Sequence, residues 1–152
     1  MTKRTHIIIH YSESNTGNIQ SFEKYHKETH GWPHVGYNYV IPRDGSIENI
    51  IGENSDGIHA GVGMYNQHSI GVCVVCTKEH GPTKYQMRTL LYICNMLIGR
   101  YNIPLKNVQG HKEIGRNTDC PGPINMDVFR IALEGSRLAY KRFCYQLDSL
   151  LG

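Results

Sequence analysis

An α/β fold with a central mixed sheet flanked by helices is what this sequence predicts, and three observations predict it. Short apolar runs at 5–11 and 70–76, with a weaker strand-like run at 107–110, alternate with longer stretches whose apolar positions recur at helical spacing. The turn sequence Pro42-Arg43-Asp44-Gly45 adds one antiparallel hairpin to a sheet that is otherwise parallel at its centre. At 152 residues the chain has the size of one ordinary domain, and no repeat, linker or low-complexity tract divides it. A single domain over 1–152 is expected, ending in an extra C-terminal helix.

The elements follow in order. Residues 5–11 read as a buried first strand, because Ile7-Ile8-Ile9 is apolar on both faces. From 18 to 30, Ile19, Phe22 and Tyr25 or His26 recur at helical spacing, with Gly31 as the stop. Residues 37–41 and 46–51 are the two arms of the hairpin. The stretch 52–69, rich in Gly, Asn, Asp and His, is too long for an ordinary connection and reads as an irregular functional loop. Residues 70–76 form a central strand. Cys73 and Cys76 within it have the spacing of a metal or redox motif, but strand residues three apart point to opposite faces, so these sulfurs are assigned to packing.

Thr83-Lys84-Tyr85-Gln86 is a capping box, and Met87, Leu90, Leu91, Cys94, Leu97, Ile98 and Tyr101 then form a helical stripe with no chemical role. Pro104 restarts an extended segment that leads to His111. Asn125 is placed to cap a helix through Leu133 that ends at Gly135. A last helix at 136–151 shows Tyr140, Phe143, Cys144, Leu147, Leu150 and Leu151 on one face, expected to pack on the domain's own elements in preference to a second copy or a partner.

Composition narrows the function. Hydrophobic content of 39% and charged content of 19% describe a soluble globular chain, and no apolar run approaches the length of a membrane span. The net charge of +3 suits an anionic polymer, yet no Lys/Arg cluster interleaved with aromatics marks a nucleic-acid groove. Five cysteines without an export signal read as reduced thiols, and three isoleucines broken by His10 are too few for a signal-peptide core. The expected site of synthesis is the cytoplasm.

The chemistry concentrates between His111 and Pro123. Alone, His111 reads as a surface histidine and Cys120 as a buried thiol. Together, an imidazole and a thiolate suit Zn²⁺, whose catalytic sites take three protein ligands and leave a position for water. His10, which ends Ile7-Ile8-Ile9 much as His111 ends residues 107–110, is the third candidate, since ligands in such sheets bind beyond the carboxyl ends of strands. Pro121-Gly122-Pro123 aims the loop just after Cys120. Tyr37 alone reads as a hairpin core residue, Asp119 as a loop cap and Glu113 as a solvated carboxylate.

With these residues in view, the chain resembles the zinc-dependent N-acetylmuramoyl-L-alanine amidases of the amidase-2 family, especially small bacteriophage endolysins, and more distantly the peptidoglycan recognition proteins. The resemblance covers a core at about 5–134 and rests on Ile9-His10-Tyr11-Ser12, Val35-Gly36-Tyr37-Asn38-Tyr39-Val40-Ile41, Arg43-Asp44-Gly45, His59-Ala60-Gly61, Asn66 with Ser69-Ile70-Gly71-Val72, Gly110-His111, and Thr118-Asp119-Cys120-Pro121-Gly122, in that order. It implies one zinc held by His10, His111 and Cys120, with Tyr37 and Thr118 as catalytic neighbours of the reacting carbonyl. His59 and Asn66 are the candidate substrate-binding residues, although His59 reads equally as a group satisfying its own loop.

Two positions depart from parts of the family: Thr118 stands where phage endolysins often carry lysine, and Cys73 where another branch places a glutamate. The implied reaction is hydrolysis of the amide between N-acetylmuramic acid and L-alanine in peptidoglycan, by a monomer released from the host cytoplasm to the wall, with no nucleic-acid or membrane partner. The alternatives are a non-catalytic peptidoglycan-binding module, against which Cys120 argues, and an amidase that also engages a protein partner.

Overall fold

The computed structural model describes residues 3–151, and the side chains of 143–145 and 147–151 lie outside the described residues. Four strands, β1 (His6–Tyr11), β2 (Tyr39–Ile41), β3 (Ser69–Val74) and β4 (Val108–Gly110), form one sheet in the order β2-β3-β1-β4. All three pairings are parallel, with Ile9 of β1 opposite Val72 of β3 on one side and Gly110 of β4 on the other. Parallel strands buried on both faces need continuous apolar sequence, which β1 and β3 supply. Period-two alternation then divides the residues. Ile7, Ile9, Ile70, Val72 and Val74 face a large core built with α3 (Lys84–Tyr101) and α4 (Met126–Leu151). Ile8 and Cys73 face the other way, into two smaller clusters.

Helix α1 (Ile19–His30) begins at an Asn18–Ser21 capping box and ends with Gly31 in the left-handed region, φ 67°. Helix α3 begins at the expected Thr83–Gln86 box. Gln86 is fully buried, and beyond its capping role its amide donates to the carbonyls of Ile41 and Val75, tying α3 to the ends of β2 and β3. Cys73 and Cys76 lie in clusters on opposite sides of the sheet, as strand geometry requires.

Two expected elements differ. The hairpin reduces to a single antiparallel bridge, Val40 with Glu48, so the mixed character of the sheet rests on that one pair. Residues 46–51 are drawn into local side-chain bonding instead: Asp44 accepts from the Ser46 backbone, Asn49 from the Gly52 backbone, and Glu48 from the Ile19 backbone at the start of α1. Such bonds compete with a ladder. The second difference is that Gly135 does not end a helix, and α4 runs unbroken through it. The roughly 1 kcal/mol cost of an interior glycine is opposed by packing on α3, where Asn95 donates to Ser136 at 2.9 Å. Tyr140, expected to be covered, is 69% exposed, while the expected burial of Phe143, Cys144, Leu147, Leu150 and Leu151 falls outside the described residues.

The long stretch 52–69 is organised by Arg4, which is 2% exposed. Its guanidinium donates to the carbonyls of Glu53 (2.8 Å), Ser55 (2.7 Å) and Gln67, and to Asp56 (3.2 Å). One side chain thereby gathers both ends of the loop, and α2 (Gly63–His68) forms within it. Arg4→Met leaves these acceptors unpaired and is expected to lower unfolding stability by about 3 kcal/mol, read from the urea midpoint. Arg4→Lys, lacking the fork, should recover less than half of that; a loss below about 1 kcal/mol in Arg4→Met would show that the loop does not depend on this residue.

Candidate metal centre

Parallel pairing of β1 with β4 sets Ile9 beside Gly110, so the next residues, His10 and His111, emerge at neighbouring strand ends. Their rings lie 4.6 Å apart, centroid to centroid. Cys120 reaches the same point from the following loop, with its Sγ 3.4 Å from His10 Nδ1. The ligand atoms of His10, His111 and Cys120 all lie within 4.8 Å of one another. Zinc bonds of about 2.0–2.3 Å in tetrahedral array separate ligand atoms by roughly 3.5 Å, so this donor set fits one such ion.

The loop is held by close approaches. The backbone N–H of Lys112 donates to the Cys120 carbonyl (2.8 Å), and Gly122 N–H donates to the Asp119 carbonyl (2.7 Å). Gly122 has φ 57°, and a Cβ there would lie 2.6 Å from the Tyr11 ring of β1. A Cβ on Gly110 would lie 2.5 Å from Pro121. The glycines on either side of Cys120 thus allow its loop to press against both strands that carry the histidines.

Burial sets the protonation states. His10, only 2% exposed, is held well below the usual imidazole range by burial and then by His59 and His111. His59 is pushed down to about 3, by burial first. His111 is lowered chiefly by burial. All three imidazoles are neutral at neutral pH, which is the metal-binding form. Burial pushes the Cys120 thiol up to about 12, so binding a cation here must release its proton.

Tyr37 stands beside His10, ring centroids 5.2 Å apart, and burial holds its phenol well above the ordinary value, so it is a hydrogen-bond donor. Its segment is fastened to β3 by Asn38, whose backbone N–H donates to the Gly71 carbonyl (3.0 Å) and whose Oδ1 accepts from Gly71 N–H (2.9 Å). The Thr118 hydroxyl accepts from the backbone N–H of Cys120 at 3.2 Å, leaving its own hydrogen to donate. A cleft of about 470 Å³ opens beside Tyr37, lined also by Ser12, Ser14, Thr16, Ser21, Tyr25 and His26.

His59 and Asn66 do not open onto this cleft. His59 is 7% exposed, and both of its ring nitrogens meet protein atoms, His10 Nε2 at 3.0 Å and Ser69 Oγ at 3.3 Å. Asn66 Oδ1 accepts from the backbone N–H groups of His59 (3.1 Å) and Ala60 (2.8 Å). Glu113 is not simply solvated: it accepts from Gly110 N–H (2.6 Å) and pairs with Arg130 of α4 at 3.0 Å, bracing the strand end before His111. Asp119 is exposed and pairs with Lys78. Of the roles that sequence reasoning missed, that of Glu113 had a legible signal, a carboxylate three residues after Gly110; Asn38 and Ser69 had none.

A parallel-sheet α/β domain here converges two neutral imidazoles and a thiol beside a protonated phenol, a donor set with which one metal ion could be held. The particular family is N-acetylmuramoyl-L-alanine amidase, Amidase_2: its pattern matches residues 1–123, and the chain belongs to it. Over 117 residues the chain is 32% identical to human N-acetylmuramoyl-L-alanine amidase, covering 74% of this chain but only 20% of that protein. It is 33% identical to the endolysin of Escherichia phage T7 over 125 residues, 76% of this chain and 78% of the relative. Among solved structures, the N-acetylmuramoyl-L-alanine amidase LysC from Clostridium intestinale superimposes with a TM-score of 0.79 at 28% identity, covering 87% of this chain and 86% of that one.

Gly122→Ala should force the Cys120 loop off Tyr11. The expected outcome is a stability loss of about 2 kcal/mol together with faster modification of Cys120 by a thiol reagent; parental values of both would show that the close approach is dispensable.

Proposed function

We propose that this chain is a zinc-dependent N-acetylmuramoyl-L-alanine amidase of the endolysin kind, hydrolysing the amide between the lactyl group of N-acetylmuramic acid and the L-alanine of the stem peptide. One observation carries the reading: His10 from the first strand and His111 and Cys120 from about a hundred residues later bring their ligand atoms within 4.8 Å of one another in a chain of this family. Made in a host cytoplasm, the enzyme would meet its polymer only on release to the wall.

When bound by these three side chains, zinc supplies Lewis acidity and lowers the pKa of a coordinated water toward neutrality. The protein's own groups do the rest. Neutral His10 and His111 offer lone pairs, and Cys120 gives up its proton to become the anionic ligand. The Tyr37 phenol, kept protonated by burial, would donate to the developing oxyanion of the scissile carbonyl. Thr118, its oxygen engaged by Cys120 N–H, has a hydrogen to offer from the loop side. Cys73, at the position where another branch carries glutamate, is buried and its thiol is pushed well up, so it supplies no base. The cleft beside Tyr37, lined by small hydroxyl-bearing and aromatic residues, would suit a sugar or peptide flank of the substrate.

Purified wall should release new L-alanine amino termini without new reducing ends. Tyr37→Phe should keep its zinc and lose roughly 10²–10³ in turnover, with Thr118→Val milder; Cys120→Ala should lose most of its zinc and its activity together. Full zinc content and full turnover in Cys120→Ala would refute the assignment, and binding of wall by the zinc-loaded parent without cleavage would favour a recognition module.

A further inference from the structure

Behind the ligand centre a hydrogen-bond chain runs inward from His10. His10 Nε2 meets His59 Nδ1 at 3.0 Å, His59 Nε2 meets Ser69 Oγ at 3.3 Å, and the Ser69 hydroxyl donates to the carbonyl of Tyr65. The inner end gives the chain its direction. A carbonyl only accepts, so the one hydroxyl hydrogen of Ser69 is committed to Tyr65. Ser69 Oγ therefore accepts from His59 Nε2–H, which leaves His59 Nδ1 as a lone pair. That lone pair accepts from His10 Nε2–H, and His10 Nδ1 is left bare toward Cys120 Sγ, 3.4 Å away.

The neighbouring residue does the same for the second histidine. The Ala60 carbonyl accepts from His111 Nε2 at 3.1 Å, so the lone pair of His111 also resides on Nδ1. Both partners belong to one dipeptide, and Asn66 Oδ1 accepts from both of its backbone N–H groups. The His59 ring is slotted between two glycine backbones: a Cβ at Gly57 would lie 2.4 Å from it and one at Gly71 2.6 Å. The ring is thus packed closely against both glycines.

We infer that the His59–Ala60 dipeptide, clamped by Asn66 and terminated by Ser69, is a single positioning unit that turns the Nδ1 lone pair of both His10 and His111 toward Cys120. His59 and Asn66 are thus positioning residues acting through the ligands, in place of substrate contacts. The inference rests on the reading of His10, His111 and Cys120 as metal ligands, but not on which bond the enzyme cleaves.

The experiment uses the full chain and reads zinc affinity by chelator competition, the visible spectrum of the cobalt-substituted protein, and melting of the metal-free form. His59→Ala removes the acceptor and should weaken zinc binding by about 10- to 100-fold. His59→Asn leaves a similar cavity but keeps an acceptor at the Nδ1 position, and should recover most of that loss and the parental cobalt bands. Ser69→Ala, which preserves volume and removes only the terminator, should fall between. Parental zinc affinity in His59→Ala would overturn the inference, and so would an Asn variant as weak as the Ala variant at equal metal-free melting temperature, because packing alone would then explain His59. If the zinc shifts appear while the parent cleaves no wall, the proposed reaction fails and the positioning unit stands.

Discussion

The parallel pairing of β1 with β4 is the contact on which the rest of the site depends. It is short, only three registered pairs, yet it places Ile9 against Gly110 and so delivers His10 and His111 side by side from positions about a hundred residues apart. Such a non-local pairing carries a large closure entropy, and it persists because both strands are buried between apolar layers. Ile7 and Ile9 face the α3–α4 core while Ile8 faces the opposite cluster. The alternation that packs Ile8 is what turns His10 away from the main core and toward the loops that bring Cys120 and His59.

Around that pairing, burial keeps the site's own imidazoles, phenol and thiol uncharged. Desolvation keeps His10, His59 and His111 neutral, Tyr37 and Cys120 protonated. Unpaired ions so deeply placed would be costly. Of the formal charges nearby, Glu113 is paired with Arg130, Asp119 with Lys78, and Glu13 accepts from the Tyr11 hydroxyl. The neutral imidazoles offer lone pairs, and the single proton that a cation would displace sits on Cys120.

Much of this was legible from residue order. Local signals act within one turn or one strand, and they identified β1, β3, both ends of α1, the capping box of α3 and the Asn125 cap of α4. The three ligand candidates were found because their residue types are chemically distinctive and sit at strand ends or in a proline-bound loop. What sequence missed depends on partners distant in the chain. Arg4 looks like an N-terminal surface charge until the carbonyls of Glu53, Ser55 and Gln67 surround it. The hairpin failed because Asp44, Glu48 and Asn49 found side-chain alternatives to a ladder, and Gly135 stayed helical because α3 packs against the turn it occupies. His59 and Asn66 were recognised as important, but the partners of each are set by the fold: the His59 ring lies against Gly57 and Gly71 and meets His10 and Ser69, while Asn66 Oδ1 accepts from the backbone of His59 and Ala60.

One thiol and two imidazoles, from the end of β1, the end of β4 and the loop that follows it, would form one metal site with a position left open. X-ray absorption at the zinc edge of the loaded protein tests it most directly. The expected shell has one sulfur at about 2.3 Å, two imidazole nitrogens at about 2.0–2.1 Å and one further light atom, four ligands in all. A shell with two sulfurs, which would bring in Cys73 or Cys76, or one with no sulfur at all, would contradict it.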